Sequence, residues 1–430
     1  MCKTTSFGTI SEINMPILRF GKAAKLNLLG TFVTILMKRK HFIVIFTLAV
    51  AFLFAGHAHG QSYNVLRNKN YQIEARAHYG FFLQFHHELE RYKAHFPSYE
   101  FSIYRTTFGK KRWERLYNFP LIGLTFYQSD LGNFDELGKV FALYPFINFP
   151  LNQDSDRQIT FKLGVGVGYL TNKFHNIENY HNFAIGSLFN AAINLSFEYR
   201  QKLSNRFYLN SSLGLTHFSN GSTKTPNFGI NIVSAATGFS FFIRKPNPTI
   251  ISKLNPKLYL FEFDDKKWMT FDGNFAVWMK DITNESEFGT HNFNMVYDFN
   301  VNILAQLSMK DRAGIGFELV QDRSDFVFLQ KRNHQNDTIV NYTDFDILKL
   351  GVGPTYEMVM DRMSFLFHIG WHLTGSDQHE GSFYQKLAVR YDIYDNFYFS
   401  FGFTTHYIRA DYLGIGFGYR FHQKYYLRKS

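Results

Sequence analysis

From residue 61 onward the chain has no apolar run long enough to cross a bilayer as a helix. Apolar and polar positions instead alternate with a period of two, in segments about the length of a membrane strand, separated by polar turns. The alternation predicts eight strands near 71–86, 96–108, 116–131, 135–150, 159–171, 184–201, 205–219 and 230–244. A proline-rich stretch from Lys245 to Pro256, containing Pro246 and Pro248, comes next, and a second series of about eight strands occupies roughly 257–421. The two faces of these segments differ in kind. In 205–219 the odd positions read Phe207, Leu209, Ser211, Leu213, Leu215, and the even ones Tyr208, Asn210, Ser212, Gly214, Thr216. In 230–244 the odd set holds Val233, Ala235, Phe239, Phe241 and the even set Ser234, Ala236, Gly238, Ser240. Bulky apolar side chains on one face and small or polar ones on the other fit a barrel with lipid outside and a filled interior. A soluble sandwich alternates in a similar way and is the competing fold. The expected class is all-β: a transmembrane antiparallel β-barrel, with an eight-stranded unit and a second set of about eight strands. One barrel of sixteen strands and two of eight both satisfy the pattern.

Composition favours the membrane version. Aromatic residues make up 19% of the chain, with 50 Phe and 26 Tyr, and a barrel uses such rings on its lipid face and in its interfacial girdles. Mean hydropathy is −0.21, too polar for a helical membrane protein. The formal charge of +11 is uneven: residues 1–60 hold seven Lys/Arg against one acid, which leaves a mildly basic remainder and predicts no nucleic-acid binding. The sole cysteine, Cys2, offers no disulfide framework. Lys38-Arg39-Lys40, the apolar run Phe42 to Phe54, and Ala58-His59-Gly60 form the three parts of a signal peptide, with Gln61 as the expected mature N-terminus. Met37 stands where such a signal begins, so residues 1–36 read as an over-called start codon, a long n-region being the alternative. The expected organisation is thus a signal at 37–60, a first barrel unit at 61–244, a linker at 245–256 and a second barrel-like region at 257–430, in the outer membrane of a Gram-negative bacterium.

The two halves share features at their ends. Phe207-Tyr208-Leu209 and Leu213-Gly214-Leu215-Thr216 match Phe397-Tyr398-Phe399 and Phe401-Gly402-Phe403-Thr404. Downstream, Val233, Ala235, Phe239 and Phe241 correspond to Leu413, Ile415, Tyr419 and Phe421. This reads as a degenerate internal duplication, with convergence among barrel strands as the alternative.

Candidate chemistry gathers where one strand ends and the next begins, in Thr216-His217-Phe218-Ser219-Asn220-Gly221 and Pro226-Asn227-Phe228-Gly229-Ile230-Asn231. His217 and Ser219 are two apart, so they point the same way, and they share parity with Leu213 and Leu215 on the lipid side. Asn231 shares the parity of Val233 and Phe239 and is expected there too. Polar groups on a lipid face are costly unless they pair or lie near the interface. A hydroxyl beside an imidazole with a third group to orient the ring activates a serine. The same residues capping the apolar band near the headgroups are the structural alternative.

This His-x-Ser-Asn run followed by a Pro-Asn-x-Gly turn resembles the lipid A 3-O-deacylase (PagL) family, in its acyloxyacyl-hydrolase branch. Gly109 through Trp113, Tyr117-Asn118-Phe119-Pro120, Ile122-Gly123 and Leu131-Gly132-Asn133 are similar to that branch as well, and the resemblance covers roughly 71–244. It implies an eight-stranded outer-membrane barrel with a Ser/His/acid site on its outer wall, cleaving an ester-linked acyl chain of lipid A. By position Ser219 would be the nucleophile, His217 the general base, and Asn220 a donor to the oxyanion. The family's triad acid is a glutamate, and Asn231 stands in its place. An Asn can orient an imidazole but adds no charge to stabilise the imidazolium. In the second repeat Thr405 and Tyr407 replace His217 and Ser219, His406 is out of phase and faces inward, and Asp411, in the place of Asn231, is left an orphan.

The resulting expectation is an outer-membrane serine esterase acting on lipid A or lipopolysaccharide. The alternative is a catalytically silent barrel serving as scaffold, adhesin or pore. A serine mechanism implies no metal or other cofactor. His86-His87-Glu88 lacks metal-site spacing, and His175, His181, His368, His372 and His379 read as interfacial or loop residues. Lys110, Lys111, Arg112 and Arg115 suit either lipid A phosphates or a solvated loop.

Overall fold

The computed structural model describes residues 70–109, 111–152, 154, 156–244, 267–282, 292–336, 340–375, 381–406 and 409–425. The expectations placed on the signal segment, on the proline-rich linker, and on Lys110, His379 and Tyr407 lie outside them.

Two closed antiparallel barrels of eight strands account for the two strand series. The first comprises β1 (Tyr71–Phe82), β2 (His95–Thr106), β3 (Leu121–Ser129), β4 (Val140–Pro150), β5 (Arg157–Leu170), β6 (Phe189–Lys202), β7 (Phe207–Ser219) and β8 (Ile230–Phe242). It closes by pairing of β1 with β8, from Gln72↔Phe242 to Phe82↔Ile232. The second comprises β9 (Lys267–Ile282), β10 (Asn292–Gln306), β11 (Asp311–Asp322), β12 (Leu348–Met360), β13 (Met363–His372), β14 (Phe383–Tyr394), β15 (Phe397–His406) and β16 (Arg409–Tyr425). It closes through β9 and β16. Among the described residues, two α-helices lie in connections: α1 (Arg112–Leu116) between β2 and β3, and α2 (Asp325–Gln335) between β11 and β12. The predicted strand at 184–201 starts five residues early, because Ala184 and Ile185 bury under a loop and so keep up the apolar pattern before β6 begins.

Alternation sets what faces out. Ile73, Tyr79, Phe101, Ile103, Phe126, Leu143, Phe197, Leu213 and Phe239 are exposed on the first barrel's outer wall, and Phe275, Phe299, Phe317, Phe367 and Phe417 on the second. Such a continuous apolar wall is what lipid contact requires.

The interiors carry charge. In the first barrel Glu198 accepts from Arg76 at 2.5 Å and from Asn148 at 2.6 Å, and Glu100 accepts from Lys162 at 2.5 Å and from the Tyr144 hydroxyl at 3.2 Å. In the second, Glu357 gathers Arg312, Arg420 and the Ser364 hydroxyl, each at 2.7 Å. Buried charges persist only when paired and hydrogen-bonded, and these arrays meet that requirement across several strands at once. His368 and His372 belong inside the second barrel rather than to an interface or loop: His368 contacts the Thr355 hydroxyl at 2.7 Å, and His372 stacks on Tyr384 at 4.2 Å.

One end of the first barrel is closed by an apolar cluster. The connections after β1, β3 and β5 contribute Leu89, Leu131, Leu137 and Ile185, which meet Phe218, Ile230 and Ile232 from the ends of β7 and β8. Phe218 is fully buried there, and burying a ring of that size is worth about 1.5–3 kcal/mol. At the opposite end Tyr117, Ile147 and Phe149 of the first barrel form one cluster with Met360 and Phe365 of the second. The Tyr117 hydroxyl donates to Val359 O at 3.0 Å, and Lys111 Nζ lies 3.0 Å from Asp361. The basic residues of the β2–β3 connection are therefore a junction between barrels.

Candidate active site

β7 and β8 are neighbours, and their register sets His217 directly across from Asn231. The inward residues Phe218, Ile230 and Ile232 are locked in the apolar cluster, so the alternating outward residues are fixed in turn. His217 Nδ1 lies 2.7 Å from Asn231 Oδ1. An amide oxygen only accepts, so this contact sets the proton on Nδ1 and leaves Nε2 as the basic nitrogen. Among the described residues, Nε2 is buried with no hydrogen-bond partner.

Ser219 follows on the same face, at the last position of β7. Its Oγ accepts from the backbone N–H of Gly221 at 3.2 Å and from the side-chain amide of Asn227 at 3.0 Å. Asn227 Oδ1 in turn accepts from Asn220 N–H at 3.0 Å, closing a small network within the turn. Asn220, expected at the oxyanion, directs its amide to Ser187 Oγ at 2.9 Å and to Lys224 O at 2.8 Å. In this arrangement it braces the turn, and the amide on the serine is Asn227's. That residue lies in the Pro-Asn-x-Gly run, yet the sequence assigns it no role: a turn has no periodicity from which its side-chain direction can be read.

Two glycines permit the turn. Gly221 and Gly229 have φ of 59° and 78°, which suit glycine, and a Cβ on Gly229 would come within 3.0 Å of His217 Cε1. On its inner side the turn is tied to the β5–β6 connection: Phe228 N–H donates to Phe183 O at 3.2 Å and Gly229 N–H to Ala184 O at 2.9 Å. His86 stacks on Phe228 at 4.2 Å, and its neighbour His87 lies 3.1 Å from Glu90.

Parity gave the correct side of the wall for all three residues, but not their surroundings. Ser219 is 2% exposed and Asn231 8%, not open to lipid. The second barrel faces them: the Phe403 ring lies 6.3 Å from that of His217, and Leu413 packs on Gly221.

Two other expectations change. Asp411 is no orphan. The register of β15 and β16 shifts between Thr404 and Thr405, and Asp411 enters the barrel, where it pairs with Lys280 and lies 3.3 Å from the inward-facing His406. The basic group at Lys111, Arg112 and Arg115 lies at the barrel end away from Ser219, so it cannot serve lipid phosphates at this site.

Comparison with known proteins agrees with the resemblance. The family described as lipid A 3-O-deacylase (PagL) matches residues 97–240, and the acyloxyacyl hydrolase C-terminal domain matches 271–423. Curated proteins give no match. Among solved structures, a mutant of the Rh. blastica porin is similar at 8% identity, over 82% of this chain and 100% of that one, with a TM-score of 0.18. The siderophore receptor PirA from Acinetobacter baumannii is similar at 8% identity, over 78% and 68%, with a TM-score of 0.23. The two family matches fall one on each barrel and together span most of the chain. The chain belongs to the lipid A 3-O-deacylase (PagL) family of outer-membrane β-barrels, in its acyloxyacyl-hydrolase branch.

Proposed function

We propose that this chain is an outer-membrane serine esterase that removes an ester-linked acyl chain from lipid A. Ser219 is the nucleophile, His217 the general base and Asn231 the residue that orients the imidazole. One observation carries the reading: the 2.7 Å contact between His217 Nδ1 and Asn231 leaves Nε2 basic, on the face of the wall that also carries Ser219.

The chemistry follows from these groups. Ser219 Oγ attacks the acyl carbonyl carbon while His217 Nε2 takes the hydroxyl proton. The sugar C–O–acyl bond breaks at the acyl carbon, and the imidazolium returns its proton to the departing sugar oxygen. Water, activated by the same nitrogen, then releases the fatty acid from the serine. The Asn227 amide and Gly221 N–H already point at Oγ and are the nearest donors for charge developing on the adjacent carbonyl oxygen. Asn220 would join them only by releasing Ser187 or Lys224. Oγ must turn from Asn227 toward Nε2 to engage the base, a rearrangement that catalytic hydrogen bonds often complete on substrate binding.

The hold of Asn227 on Ser219, together with the missing charge at Asn231, favours a second reading, a silent barrel. Fatty-acid release from lipid A by the purified protein in detergent separates the two. The esterase reading predicts one ester-linked acyl chain freed per lipid A, and a drop of about 10²–10⁴-fold in His217→Gln. A wild type that frees none would leave the silent barrel standing. The same assay tests Asn231→Glu. A charged acceptor on Nδ1 is worth about 1–1.5 kcal/mol more than a neutral one, so kcat should rise about tenfold.

A further inference from the structure

Pairing of β16 with β9 ends at Ile415↔Val277, although β9 runs on to Ile282 and β16 begins at Arg409. Beyond that pair, the β7–β8 turn of the first barrel bridges both strands. Trp278 Nε1 donates to Gly221 O at 3.2 Å, and Asp281 N–H donates to Ser222 O at 2.8 Å. The Asp281 carboxylate accepts from Thr225 twice, from its N–H at 3.1 Å and from its hydroxyl at 3.3 Å. On the β16 side Gly221 lies so near Leu413 that a Cβ would overlap it. Trp278 and Asp281 are 2% and 1% exposed, so these bonds are made away from water, where each counts for more.

Gly221 and Ser222 follow Ser219 and Asn220 directly, and Thr225 comes three residues after Ser222. Gly221 gives its N–H to Ser219 Oγ and its carbonyl to Trp278. Gly221 and Ser222 both have positive φ, 59° and 57°, a conformation that needs support from its surroundings. The turn's own network, Ser219 with Asn227 and Asn227 with Asn220, fixes the residues relative to one another. Trp278 and Asp281 fix the turn from outside.

We propose that the second barrel positions the nucleophile. Trp278 and Asp281 are positioning residues that hold the β7–β8 turn so that Ser219 Oγ comes to His217, with Phe403 and Leu413 as the facing wall. The inference rests on the Ser219/His217 reading. It also gives the second half of the chain, which lacks the His/Ser pair, a part in the same reaction.

The test uses the full chain in detergent, comparing wild type with Asp281→Ala, Asp281→Asn and Trp278→Phe. Hydrogen exchange over residues 219–225 is read beside kcat and KM for fatty-acid release from lipid A, and heat-modified gel mobility checks that both barrels stay folded. In Asp281→Ala, exchange across the turn should quicken and kcat fall about 10–100-fold, with KM within about twofold, as expected when a reacting group is misplaced. Asp281→Asn keeps an acceptor and should recover most of both. Trp278→Phe keeps an aromatic ring, though a smaller one, loses the donor and should show a smaller version of the same pair of changes. Unchanged exchange in Asp281→Ala overturns the clamp, and quicker exchange with unchanged kcat overturns its role in positioning. A wild type that frees no fatty acid sinks the esterase reading and the positioning role together, while exchange still shows whether the second barrel holds the turn.

Discussion

Ser219→Ala should abolish deacylation while leaving both barrels intact. Loss of a serine nucleophile costs on the order of 10⁶ in kcat, and what remains comes from binding and oxyanion donors alone. The structural cost is small by comparison. Ser219 Oγ accepts from Gly221 N–H and Asn227 Nδ2, each bond worth about 1 kcal/mol. Phe218 and Ile230, which hold this stretch of wall, are untouched. Fatty-acid release and gel mobility, measured on the same preparation, should therefore separate: the first lost, the second unchanged. If the variant keeps wild-type activity, the nucleophile lies elsewhere.

Glu100→Ala should have the largest effect on stability. Glu100 and Lys162 are 2% and 1% exposed inside the first barrel, and their 2.5 Å contact is accompanied by a bond from Tyr144. Removing the carboxylate strands an ammonium among the Phe146 and Tyr144 rings, 4.4 and 5.7 Å away. Breaking a buried pair in this way costs about 3–5 kcal/mol, whereas replacing both partners by apolar groups can be nearly neutral. Urea unfolding in lipid vesicles should show a markedly lowered midpoint for Glu100→Ala, largely restored in Glu100→Ala with Lys162→Met. An equal loss in the double variant would mean that packing volume, not the unpaired charge, sets the cost.

Period-two alternation made much of the fold legible. It located β7 and β8 within one or two residues and gave the parity that set His217, Ser219 and Asn231 on one side of the wall. The direct opposition of His217 and Asn231 needed the register as well. The number of barrels was not legible, because closure joins β1 to β8 and β9 to β16, strands far apart in sequence whose alternation is the same in either topology. Nor were the charged interiors. Glu74, Arg76, Glu100, Lys162 and Glu198 sit on the polar parity of their strands, which predicts a filled interior but not which of its side chains pair.

Counting strands would have placed the basic group. The turn after Ser219 follows the seventh strand and the Lys111–Arg115 connection the second, and connections after odd and even strands lie at opposite ends of an antiparallel barrel. The contacts made on His217 and on the turn after Ser219 had no such signal, since Phe403, Leu413, Trp278 and Asp281 reach them from more than fifty residues away. The bulge that turns Asp411 inward was equally hidden, because one shifted residue reverses the parity on which the reading depends.

The most direct measurement is mass spectrometry of lipid A from outer membranes containing either the wild type or Ser219→Ala. Loss of one ester-linked acyl mass with the wild type, and intact lipid A with the variant, is the predicted result. Intact lipid A with both, from membranes in which the folded protein is present, would contradict it.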